Sequence, residues 1–128
     1  MPVTITLAQF TDIGARPSMV DLFSSTYGES ASFDTLEEFR EVCKLYPLDY
    51  LWASYFLLTT SYLDEFYTQI QPISLAYQLE RLSILERYSS SQDADAYIAE
   101  KTSAKTIAED QFAEIFAALF WEQENAVV

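Results

Sequence analysis

Histidine is absent from all 128 residues, cysteine occurs once, glycine twice and proline four times, and only seven cations stand against twenty carboxylates. Each scarcity removes a class of chemistry. Without histidine there is no Ser-His-Asp or Cys-His arrangement, no imidazole metal ligand and no histidine general base. A lone cysteine excludes an intrachain disulfide and any CxxC redox or zinc site. Gly14 and Gly28 stand too far apart to build a GxxxxGK[ST] or GxGxxG loop around phosphate. So few turn formers argue against a β-sandwich with its many tight hairpins. Seven scattered cations leave no nucleic-acid footprint, so direct contact with DNA or RNA is not expected.

Long apolar runs are missing too. The greasiest stretch, Leu48 to Leu63, is interrupted at its start by Asp49 and falls short of the about 20 residues that span a bilayer. Met1-Pro2-Val3-Thr4 has neither the basic region nor the apolar core of a signal peptide. The charge has the wrong sign for anionic lipid. The reading is a protein of the cytoplasm with no membrane contact. Cys43 lies in an apolar pattern with Phe39, Val42 and Tyr46, the setting of a small buried hydrophobe.

What the chain does have is acid and oil together. Its net charge is −13, while 50% of residues are hydrophobic and 16% aromatic. That apolar content lifts it out of the disordered class and into a folded domain with carboxylates on its surface. The length suits one domain with one core. Net charge speaks to partners rather than to fold, and this one points to a basic partner.

Punctuation divides the chain into helices. Thr6 and Gln9 form a capping box ahead of Leu7, Phe10 and Ile13, with Gly14 placed as a C-terminal cap. The competing reading there is a strand, since Val3, Ile5 and Leu7 alternate with Thr4 and Thr6. Ser18 opens a second helix through Met19, Leu22 and Phe23 to Gly28, and Asp34 with Glu37 caps a third carrying Leu36, Phe39, Val42 and Cys43. Pro47 ends that segment and starts the next. From Leu48, apolar residues on all sides through Leu58 place this stretch at the centre of the bundle, or in a homodimer interface. Thr59-Thr60-Ser61 has poor helix propensity and can break the segment. Pro72 starts a further helix with Leu75, Leu79, Leu82 and Leu85 inward, and Ser89-Ser90-Ser91-Gln92 is a linker. Asp93 to Lys101 reads as a short helix with Ala94, Tyr97 and Ile98 inward, Ser103 as a fresh cap, and Ala104 to Glu124 as a final helix. The expected fold is all-α, a single-domain bundle of about six helices, with an extended N-terminal arm as the alternative to a first helix.

Two acidic regions carry the candidate site. At about 100° per residue, Asp110, Glu114 and Trp121 line the side of the last helix opposite its core stripe, with Glu124 nearby and Glu109 also on that helix. A tryptophan ringed by acid is a common form of binding face. The second region, Glu29 to Glu41, includes Glu37, Glu38 and Glu41 and has five acids against the single Arg40. Carboxylates one helical turn apart stand about 5–6 Å from each other, comparable with phosphate spacing along a nucleic-acid strand. Such a surface can occupy a groove built for duplex, where charge falls about every 1.7 Å along the axis. In composition the chain is similar to DNA-mimic proteins such as phage antirestriction and anti-CRISPR inhibitors, a resemblance that covers no motif.

The expectation is a non-enzymatic, small acidic inhibitor or adaptor that binds a basic protein or a nucleic-acid-binding complex, with no cofactor and no metal. An immunity protein, or an acidic assembly or secretion chaperone, shares that chemistry. An enzymatic alternative rests on E-E-x-x-E at Glu37, Glu38 and Glu41 with Asp64 and Glu65 downstream, since carboxylates on facing helices can hold Mg²⁺ against nucleotide phosphates. All-α nucleotide pyrophosphohydrolases resemble this, but they add a second E-x-x-D. Here Ser61 stands where its glutamate belongs.

Overall fold

The computed structural model describes residues 2–45 and 50–126. The chain runs β1 (Val3–Thr6), α1 (Leu7–Asp12), α2 (Pro17–Tyr27), β2 (Ser30–Phe33), α3 (Leu36–Leu45), α4 (Tyr50–Leu57), α5 (Thr60–Tyr88) and α6 (Ala94–Asn125). The fold is mostly all-α, with six helices and a small two-stranded sheet among the described residues. The expectations on Tyr46, Pro47, Leu48 and Asp49 lie outside those residues.

Both N-terminal readings are right, one after the other. Val3 to Thr6 is extended, and the Thr6–Gln9 capping box then starts α1, with Gln9 N–H donating to Thr6 Oγ1 at 3.2 Å and Thr6 N–H to Gln9 Oε1 at 2.8 Å. Gly14 and Gly28 hold positive φ at the ends of α1 and α2, where a side chain would be strained. β1 pairs antiparallel with β2, Val3 opposite Phe33 and Thr6 opposite Ser30. Ser30-Ala31-Ser32-Phe33 has too little apolar content to announce a strand; β1 completes it. Val3, Ile5, Ala31 and Phe33 face inward and the threonines and serines outward, the alternation a half-buried sheet requires. α2 begins at Pro17 rather than Ser18, as suits a proline in a first turn.

One chain of aromatic contacts ties this N-terminal half to α6. Phe10 meets Phe23 at 5.2 Å between ring centroids, Phe23 meets Tyr27 at 5.4 Å and Tyr27 meets Phe33 at 6.1 Å. Phe33 then meets Phe39 at 5.2 Å, Phe39 meets Phe120 at 5.8 Å, and Phe116 stacks on Phe120 at 5.5 Å and touches Tyr50 at 5.2 Å. Rings from α1, α2, β2, α3, α4 and α6 thus share one core. We call this unit, closed by Phe66 and Ile70 of α5, the head.

α4 is apolar on every side, but only part of it is buried. Tyr50, Ala53, Ser54 and Leu58 are enclosed, whereas Leu51, Tyr55 and Phe56 are exposed, Tyr55 to 62%. The break falls at Leu58–Thr59, at the start of the Thr59-Thr60-Ser61 run of poor helix propensity, and Gln123 of α6 closes it. Its Nε2 donates to the Leu57 carbonyl at 3.0 Å and its Oε1 accepts from Thr59 N–H at 2.7 Å. One side chain therefore satisfies a donor and an acceptor that two abutting helix ends would leave orphaned.

The two expected breaks further on do not occur. α5 runs unbroken through Pro72, and α6 through Ser103 from its Asp93 cap, whose Oδ1 accepts from Ala96 N–H at 3.0 Å. Continuity fixes the phase of α5. Phe66 and Ile70 are inward in the head, so Ile73, Tyr77, Ile84 and Tyr88, at helical spacing from them, stay on the side toward α6. Leu75, Leu79, Leu82 and Leu85 are turned outward, 54% to 63% exposed. On α6, Tyr97 is half-buried, while Ala94 and Ile98 are exposed. Residues 71–107 form a two-helix arm in which Ile84 is the one buried side chain.

Candidate functional site

α3 runs antiparallel to the last turns of α6. Lys44 near the end of α3 reaches Glu114, while Phe39 near its start meets Phe120 and Trp121. The amphipathic pattern of α3 explains the docking, since Phe39 and Cys43 are buried while Glu37, Glu38 and Glu41 face solvent. The helix is capped one residue later than the sequence implies. Thr35 Oγ1 accepts from Glu38 N–H at 3.2 Å, and Glu38 Oε2 accepts from Asp34 N–H at 3.2 Å. Because α3 starts at Leu36, its cap is Thr35 and its third residue is Glu38, which displaces the Asp34–Glu37 pair.

Lys44 is the centre of the site. Its Nζ lies 2.6 Å from Glu114 Oε1 and 3.5 Å from Glu41 Oε1. Two acidic regions some seventy positions apart in the chain are thereby joined across one cation. The Glu114 hydrogen bond, with the Glu114 and Glu41 charges, holds the Lys44 ammonium above its ordinary range. The sequence signal for the shorter-range half of this bridge was the Glu41–Lys44 spacing; the Glu114 half is tertiary.

The remaining candidates divide. Asp110 is half-buried one turn before Glu114, while Glu109 points elsewhere and lies 3.8 Å from Lys105. Glu124 is exposed in the last turn. Trp121 is half-buried against the core, its ring 6.1 Å from Phe39. It covers the edge of α3. Glu114 and Trp121 therefore meet α3, and Asp110, Glu114 and Trp121 are each half-buried on that side of α6.

Next to this seam Cys43 is buried, and burial pushes its thiol up to about 12. Tyr50 Oη donates to the Cys43 carbonyl. Such a thiol is inert at neutral pH. Among the described residues no group of three or more His, Cys, Asp or Glu side chains comes together to hold a metal. Nor is any described helix long and apolar enough to cross a membrane. Compared with family models, curated proteins and solved structures, the chain matches none of them.

The feature that sequence reasoning missed is the division of charge. Residues 72–107 hold five acids and four cations, a net of −1, whereas the rest of the chain holds fifteen acids and three cations, a net of −12. Counting by segment would have found it. Its meaning depends on knowing that the segment is an arm.

Proposed function

We propose that this chain is a non-catalytic binding protein of the cytoplasm whose acidic head engages a basic groove, blocking a DNA- or RNA-handling complex as a nucleic-acid mimic does. The observation that carries the reading is the concentration of charge, with −12 of the net −13 on the head. A field of one sign on a rigid body steers a cationic partner and accelerates docking. Glu37, Glu38 and Glu41 on α3 and Asp110 and Glu114 on α6 are the carboxylates we assign to contact. Trp121 serves as the floor that fixes the two helices against each other. Lys44 moderates the surface, because it neutralises part of Glu41 and Glu114 until a partner's cation replaces it. The single, buried Cys43 suits a reducing compartment.

The test is capture from cell extract with the intact chain and with Glu37→Gln/Glu38→Gln/Glu41→Gln. The reading expects a nucleic-acid-binding protein that is retained at about 0.1 M salt, released at about 1 M and displaced by added duplex DNA. The triple variant should fold and fail to capture it, while Lys44→Gln should capture it more strongly. A partner held equally at both salt concentrations and indifferent to DNA would overturn the mimic reading.

A further inference from the structure

The outer face of α5 in the arm is apolar along its length and met by no other element among the described residues. Leu75, Leu79, Leu82 and Leu85 are each more than half exposed. At about 100° per residue they share the side of α5 opposite Ile84, flanked by Gln71, Gln78 and Ser89. Between positions 71 and 89, Glu86 is the one charged residue on that side. Contiguous exposed apolar surface of this kind marks an interaction site in a monomer-sized domain. Depletion of charge at its centre is the pattern of a protein–protein interface.

We propose that this face is the contact surface of an antiparallel dimer of the chain. The inference goes beyond the binding reading above and does not depend on it. Three observations select a second copy as the occupant. First, the stripe is self-complementary, as a two-fold contact demands. Leu75 and Leu85 lie five residues either side of position 80, with Leu79 and Leu82 between them, so a two-fold axis near that position sets Leu75 against Leu85 of the other copy. Second, charge sorts the partners. A basic protein is drawn to the head at −12, whereas the arm at −1 neither attracts nor repels a copy of itself. Third, geometry fixes the direction. Ile70, the last α5 residue in the head's core, lies as far before position 80 as Ser90, in the turn at the arm's tip, lies after it. Antiparallel pairing therefore sets each head beside the other copy's tip, near Arg87. Parallel pairing would force two heads of −12 together. Arg81 and Lys101 make no ion pair among the described residues and sit with Leu82, Leu85 and Tyr97 along a groove between α5 and α6. There they form a cationic rim to the contact.

The contact is short, since ten residues of helix span about 15 Å. An interface smaller than the usual roughly 800 Å² per partner gives a dimer that depends on concentration. Sedimentation equilibrium from about 1 µM to about 1 mM should show the mass rising from 14.7 kDa toward twice that value. Leu79→Glu/Leu82→Glu should stay monomeric throughout with an unchanged helical spectrum. Leu79→Ala/Leu82→Ala, which preserves helix propensity, should weaken association at least about tenfold. For direction, a spin label on Ser89→Cys in a Cys43→Ala background should report about 30 Å between copies, against about 10 Å for a parallel pair. A mass of 14.7 kDa at every concentration, association that survives the glutamates, or the short distance would each overturn the proposal.

Discussion

The head and the arm share the same two long helices, and what differs is how many sides of each helix are covered. In the head, α6 lies between α5 and the α3–α4 layer, so Ala113, Phe116, Ala117, Leu119 and Phe120 are buried on several sides of it. In the arm the two helices have only each other. Ile84, the edge contact of Tyr88 with Tyr97 at 5.9 Å and the Arg87–Glu100 pair at 3.2 Å hold them together. Two helices bury one face each, and exposed ion pairs add little, about 0–1 kcal/mol. Burying a leucine or phenylalanine contributes about 1.5–3 kcal/mol, so stability concentrates where a third layer exists. The same division sorts the surface. Acid accumulates outside the arm, and four leucines stand exposed along the arm's α5.

Breaking the head should have the largest effect. Phe116→Ala removes a ring that stacks on Phe120 and touches Tyr50 and should cost about 3–5 kcal/mol in urea unfolding, enough to endanger the fold. Alkali should attack the same region. Cys43 and Lys44 both have folded-state values raised by the head, so the stability they contribute is complete at lower pH and is lost as pH rises, for Cys43 between 9.0 and about 12. Unfolding midpoints measured from pH 8 to pH 11 should fall, and Cys43→Ala should flatten the decline. Gln123→Leu would leave the Leu57 carbonyl and the Thr59 amide without their partner, a loss of about 1–3 kcal/mol by thermal melt. Ser54 sharpens the comparison in the other direction, since its buried hydroxyl has no hydrogen-bond partner among the described residues. Ser54→Ala should raise stability by about 1 kcal/mol. The smallest effect belongs to the arm, where Leu79→Ala should change monomer stability by no more than about 0.5 kcal/mol. Hydrogen exchange provides the map, with amides of 75–100 opening at lower free energy than those of 112–121.

The sequence alone settled the helical class, the capping box at Thr6, the break at Thr59, the serine linker and the burial of Cys43. Each rests on local chemistry, namely caps, propensity and an apolar period that a few neighbouring residues express. It also located both acidic regions by composition. Several decisions lay beyond it. Ser30 to Phe33 became a strand because β1 supplied the partner, and Trp121 turned inward because α3 lies across its side of α6. Continuity settled the rest. A proline at position 72 reads locally as a helix start, and a helix restarted there could face either way, so the four leucines were expected inside. Packing on both sides of Pro72 outweighs the lost backbone bond, about 3 kcal/mol. The unbroken helix then carries the phase of Phe66 and Ile70 through to Ile84 and leaves the leucines outside. α5 has two apolar faces, and periodicity reports both without ranking them. Only the rest of the fold chooses which one meets a neighbour.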